Sequence, residues 1–176
     1  MDKIFEQAFE EILGFEGGYS DDEDDSGGKT RFGITEGVAR ANGYKGKMSK
    51  LPLYIAKNIY NNSYWSNHYY DKIDDDRIAI EMFDQAINMG PITANKNLQK
   101  AYNLLNRGKA GDLKVDGIIG SITLTYVNRY PYEDDLMQLL NILQAKYYIE
   151  IIESNPSQDK FFRGWLQRTK VNWRGY

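Results

Sequence analysis

The chain has 176 residues, 41% of them hydrophobic, and a formal net charge of −3. That length buries a sizeable core without cross-links, and the lack of any cysteine excludes a disulfide framework, thiolate chemistry and an iron–sulfur site. His68 is the single histidine, which argues against a His-based metal cluster or a hydrolase triad, and a pI near 5.3 argues against nucleic acid as ligand.

The first element predicted is an amphipathic helix. Asp2 can cap it, and Ile4, Phe5, Ala8, Phe9, Ile12 and Leu13 recur at helical spacing. Glu16 stands four residues beyond Ile12, so it extends the apolar stripe, and Gly17-Gly18 is expected to end the helix. The acids Asp21 to Asp25, a second glycine pair at Gly27-Gly28, and Gly33-Ile34-Thr35 follow, a pattern that suits a glycine-kinked hairpin. A helix and a hairpin can thus bring two carboxyls to one cleft. Glycosidic cleavage needs such a pair, one acid to protonate the leaving oxygen and another to support water or the cationic centre. Partial burial, the negative end of the helix dipole and the neighbouring acids would all raise the pKa of Glu16. The residues alone leave a solvated, capping glutamate equally open.

Charge is unevenly spread. Residues 1–36 hold eleven acids against three bases, which leaves the remainder at +5. Lys160, Arg163, Arg168, Lys170 and Arg174 cluster near the end, opposed there by Asp159, and suit an anionic polymer or a solvated helix face.

Beyond the hairpin the chain reads as successive helices. Pro52 suits a first helical turn, with Leu53, Ala56, Ile59 and Tyr60 periodic behind it. Arg77 to Met89 places Ile80, Phe83 and Ile87 inward and stops at Gly90-Pro91, and a helix from about Ile92 carries Leu98, Ala101, Leu104 and Leu105. Asp116-Gly117 and Gly120 mark a tight turn, Ser121 is expected to cap a helix through Val127, and Leu136 to Ile152 is the longest periodic segment. Two lobes packed as one body are expected, residues 1–90 and 91–176.

Other candidate chemistry is weak. Asp22-x-Asp24-x-Ser26-Gly27 mimics the start of an EF-hand loop, but Gly33 occupies the position that needs a bidentate glutamate, so no metal and no cofactor are expected. His68 reads as a partly exposed ring beside Tyr69 and Tyr70. Asp84 and Asn88 share one helical face, where they could line a cleft floor or bond a neighbouring helix cap. Among fourteen tyrosines, Tyr19 is a candidate for stacking on sugar rings, with Trp65.

The segment from Glu16 to Thr35 resembles the signature of glycoside hydrolase family 108, bacterial and phage N-acetylmuramidases. Their pattern is a helix ending in Glu-Gly-Gly-Tyr, an Asp-rich turn, Gly-Gly-x-Thr and Gly-Ile-Thr, matched here by Glu16 to Tyr19, Asp24-Asp25, Gly27 to Thr30, and Gly33 to Thr35. Further landmarks are Tyr64-Trp65, Phe83 to Asn88, Leu98 to Ala101, Val115 to Gly120, and Phe162 to Leu166; the later ones resemble a C-terminal predicted peptidoglycan domain. Thr30 follows Asp25 after four residues, where phage-type lysozymes have five, and Glu23 and Ser26 stand where the family turn commonly has prolines.

The resemblance implies a mainly α, lysozyme-like helical fold whose small β-hairpin carries part of the active site. It implies hydrolysis of the MurNAc–GlcNAc β-1,4 bond, with Glu16 as general acid, Asp25 managing water or the cation, and Thr30 bonding that water. Tyr19, Trp65, Asp84 and Asn88 would contact substrate. A catalytically silent wall-binding or scaffolding domain and a lytic transglycosylase are the alternatives. The expected partner is the peptidoglycan glycan strand, met by a monomer without a membrane span. With no basic leader or long apolar run at its start, the chain is expected to be made in the cytoplasm without a signal peptide, and to reach the wall through a holin, specialised secretion or lysis.

Overall fold

The computed structural model describes residues 2–14, the backbone of 19–20, and residues 29–109 and 111–169. Packing divides the chain between Asp71 and Lys72 into two compact units. The protein is mainly α with one small antiparallel sheet. No helix among the described residues is long and apolar enough to cross a membrane.

In the first unit α1 spans Lys3–Leu13, and Asp2 caps it by accepting from the Ile4 N–H at 3.2 Å. Phe5, Ala8 and Phe9 form its buried face. The helix stops earlier than its apolar stripe suggests. Gly14 takes φ 59° and its N–H closes on the Glu10 carbonyl at 3.1 Å, so α1 ends at Leu13 rather than running to Glu16 and Gly17-Gly18. Three two-residue strands follow, β1 Tyr19–Ser20, β2 Thr30–Arg31 and β3 Ile34–Thr35, in the order β1-β2-β3. Thr35 then caps α2, Glu36–Ala41, by accepting from the Val38 N–H.

The core of this unit is aromatic. α3, Leu53–Tyr60, runs directly into a π-helical turn, Asn61–Trp65. Phe5 meets Trp65 edge-on at 5.8 Å, Phe9 meets Tyr60 at 5.7 Å, and Trp65 meets Tyr70 at 6.3 Å. Each of these rings is at most 4% exposed, and burying one contributes roughly 1.5–3 kcal/mol.

The second unit is built on α4, Asp76–Met89, α5, Pro91–Asn106, and α7, Glu133–Ser154. α6, Ser121–Asn128, and α8, Asp159–Arg168, complete it. Ile78, Ala79, Met82, Phe83, Ala86 and Met89 fall on one wide stripe of α4 and are buried, while Ile80 and Ile87 lie beyond its edge and are only half-buried. Phe83 is shared by both stripes, so period alone does not choose between Ile80-Phe83-Ile87 and the neighbouring set that is buried. Leu104 is 63% exposed rather than inward. Ser121 is the first residue of α6, with Gly120 in the cap position and no side-chain cap.

The turn at Asp116-Gly117 is strapped to α5 by amides spaced four residues apart. Asn95 donates to the Gly117 carbonyl at 2.9 Å, Gln99 to Asp116 Oδ1 and the Ile118 carbonyl at 3.0 Å each, and Asn103 to the Leu113 carbonyl at 2.8 Å. Asp116 also accepts from the Ile118 N–H, and the hydrogen bond from Gln99 leads the causes that hold its carboxyl below the usual range.

Candidate active site

The sheet of the first unit is the described part of the expected site. Its register sets Tyr19 opposite Arg31, Ser20 opposite Thr30, and Thr30 opposite Thr35. Thr30 and Thr35 therefore share a face, whereas Ile34 points to the other and is 3% exposed. Thr30 is half-buried. The β2–β3 turn uses two left-handed residues, Phe32 at φ 52° and Gly33 at φ 71°. Two side chains hold it to the helices. Tyr60 Oη donates to the Phe32 carbonyl at 3.2 Å, and Arg31 Nη1 donates to the Ser49 carbonyl. Burial, then the neighbouring Tyr64, pushes the Tyr60 phenol up to about 12, so it remains a donor at any working pH. Across the unit, Lys57 on α3 pairs with Glu6 on α1.

Glu16 and Asp25 lie outside the described residues, and so does the side chain of Tyr19, whose backbone forms part of β1. Trp65 is a correction. An indole 1% exposed and packed between Phe5 and Tyr70 offers no face to a sugar; it is core. His68 is a half-buried ring 5.9 Å from Tyr70, and burial lowers its pKa.

Asp84 and Asn88 belong to the second unit. Asp84 is 9% exposed and accepts from three directions: Arg168 Nη1 at 2.7 Å, Gln144 Nε2 at 3.2 Å and Asn88 Nδ2 at 3.0 Å. It thereby ties α4 to α7 and α8. Gln144 Nε2 also donates to the Tyr148 hydroxyl at 3.2 Å, and burial pushes that phenol up to about 12. One turn earlier, Glu81 was not singled out by sequence. Burial pushes its carboxyl up to about 7, against the hydrogen bond from Gln85 Nε2 at 2.9 Å and with the help of the Asp84 charge. The acid pair spaced i,i+3 on one helix was its only sequence signal. No group of three or more His, Cys, Asp or Glu that could hold a metal ion occurs among the described residues.

Residues 9–90 match the family Glycosyl hydrolase 108, and residues 93–170 match the Predicted Peptidoglycan domain. The chain belongs to glycosyl hydrolase family 108 through its first part and carries a peptidoglycan domain in its second. It is similar over 94% of its length to 88% of SagA from Brucella abortus, at 28% identity and a TM-score of 0.71. No curated protein matches it. Family and fold together make it a glycoside hydrolase directed at peptidoglycan. The two family segments meet at residues 90–93, whereas packing divides at Asp71 and Lys72, so α4 belongs to the first by sequence and to the second by contacts.

Proposed function

We propose that the protein is an N-acetylmuramidase that hydrolyses the β-1,4 bond between MurNAc and GlcNAc. Glu16 protonates the leaving oxygen, Asp25 activates water or stabilises the oxocarbenium-like centre, and Thr30 orients that water. The observation that carries this reading is the family match over residues 9–90, which spans Glu16, Asp25 and Thr30 together.

The strand pairing is compatible with it. Ser20 is paired with Thr30, so the acidic segment leaves and returns at one place in the fold. Glu16 stands three residues before Tyr19, and Asp25 is five residues from both Ser20 and Thr30. A carboxyl separation of about 6.5–9.5 Å is proposed, which leaves room for water and gives inversion. Tyr19 is proposed to contact the glycan, and residues 91–176 to form the wall-binding lobe.

Mass spectrometry of digested peptidoglycan tests the reading. Hydrolysis leaves reducing MurNAc ends. Products ending in 1,6-anhydro-MurNAc would instead make the protein a lytic transglycosylase, and undigested wall would make it a binding domain.

A further inference from the structure

The second unit holds a recess with chemistry of its own. The last turn of α5 and the connection from α6 to α7 enclose a cleft of about 500 Å3. Four tyrosines form a continuous aromatic wall. Tyr102 and Tyr126 have ring centres 5.5 Å apart, Tyr102 and Tyr130 6.0 Å, and Tyr130 and Tyr132 5.8 Å. The wall runs from base to rim, with Tyr102 3% exposed and Tyr132 62% exposed. Lys109 and Arg129 line the same cleft, both exposed, and neither makes an ion pair among the described residues.

Packing explains Tyr102 but not the rim. A phenol left two-thirds in water contributes little to folding, yet it keeps a flat apolar face and a polar tip available to a ligand. Pyranose rings present apolar C–H faces and hydroxyl edges, which such a platform meets by stacking and by hydrogen bonds. The two cations add a requirement that a neutral sugar chain does not satisfy: carboxylates beside the rings. Peptidoglycan has both features, since its N-acetyl amino sugars carry stem peptides that end in carboxylates.

We propose that this cleft is a glycan-strand subsite, in which Tyr126 and Tyr132 stack on amino-sugar rings while Lys109 and Arg129 pair with stem-peptide carboxylates. It rests on the reading of the protein as peptidoglycan-directed and adds which residues grip the polymer. The subsite acts by holding the strand, not by chemistry at the scissile bond.

The full-length chain tests this in two assays on the same purified sacculi, co-sedimentation on ice and clearance on warming. Tyr132→Ala and Arg129→Gln are each expected to weaken co-sedimentation about tenfold, a loss of one well-made contact. Tyr132→Phe keeps the ring and should bind nearly as wild type. Arg129→Gln should also flatten the salt dependence of binding. Both side chains are exposed, so melting temperatures should not move. Alanine and glutamine variants that co-sediment as wild type would overturn the subsite while leaving clearance, and so the muramidase reading, intact. A wild type that binds but never clears sacculi would defeat the muramidase reading and leave the subsite standing. A wild type that fails to co-sediment overturns the subsite outright.

Discussion

The Tyr60 hydroxyl occupies the space that a side chain on Gly33 would need. It donates to the Phe32 carbonyl at 3.2 Å, and a Cβ built on Gly33 would lie 2.5 Å from the same oxygen. The glycine of the Gly-Ile-Thr step is therefore required twice, by its φ of 71° and by the helix α3 that reaches over the turn.

Gly33→Ala should cost about 1–3 kcal/mol in thermal or urea unfolding. Tyr60→Phe alone should cost about 1 kcal/mol, the worth of one hydrogen bond. Combined, the two should cost less than their sum, because the phenylalanine ring removes the atom that clashes. Strict additivity would mean that strain at φ, not the hydroxyl, excludes alanine.

Glu16→Gln preserves shape but cannot donate the proton. Turnover on sacculi should fall at least ~10²-fold with the melting temperature unchanged or higher. Full lysis by this variant would remove Glu16 from the mechanism.

Asp25→Asn should slow hydrolysis far more than Asp22→Asn, since only Asp25 is assigned to water. If the acids of the turn also raise the pKa of Glu16, replacing Asp21, Asp22, Glu23 and Asp24 by amides should move the alkaline limb of the activity profile to lower pH. Equal activity of the Asp25 and Asp22 variants would defeat the two-carboxylate assignment.

Glu81 makes stability depend on pH with a definite sign. Its folded pKa of about 7 lies above the ordinary 4.5, so the folded state holds the proton more tightly between those values. Stability should fall as pH rises from about 4.5 to about 7, by on the order of 1–3 kcal/mol. Glu81→Gln still accepts from Gln85 but cannot ionise, so it should abolish that slope and stabilise the protein above pH 7. A slope unchanged in this variant would place the titrating group elsewhere.

Asp84 separates two roles by measurement. Removing it takes the carboxylate from the Arg168 guanidinium and leaves the Gln144 amide only the Tyr148 hydroxyl to donate to, so Asp84→Ala should destabilise by about 1–3 kcal/mol, less than a fully buried pair because Arg168 is 38% exposed. A strapping role predicts loss of stability with KM unchanged at temperatures where the variant is folded. A raised KM with wild-type stability would instead put Asp84 on the substrate.

Much of this protein was legible as local pattern. Asp2 before an apolar stripe and Gly90-Pro91 between two helices each act over a few residues, and each recurs in the structure. What sequence could not supply were contacts between residues distant in the chain. Arg168 meets Asp84 across 84 positions, and Gln85 reaches the Leu140 carbonyl across 55. The indole of Trp65 is core because Phe5 and Tyr70 enclose it, not because of anything in its own neighbourhood. Periodicity reports which face of an element is apolar. Whether that face, or the polar one opposite, is covered depends on what packs there, and the tertiary structure alone decided that for α4, Leu104 and Glu81.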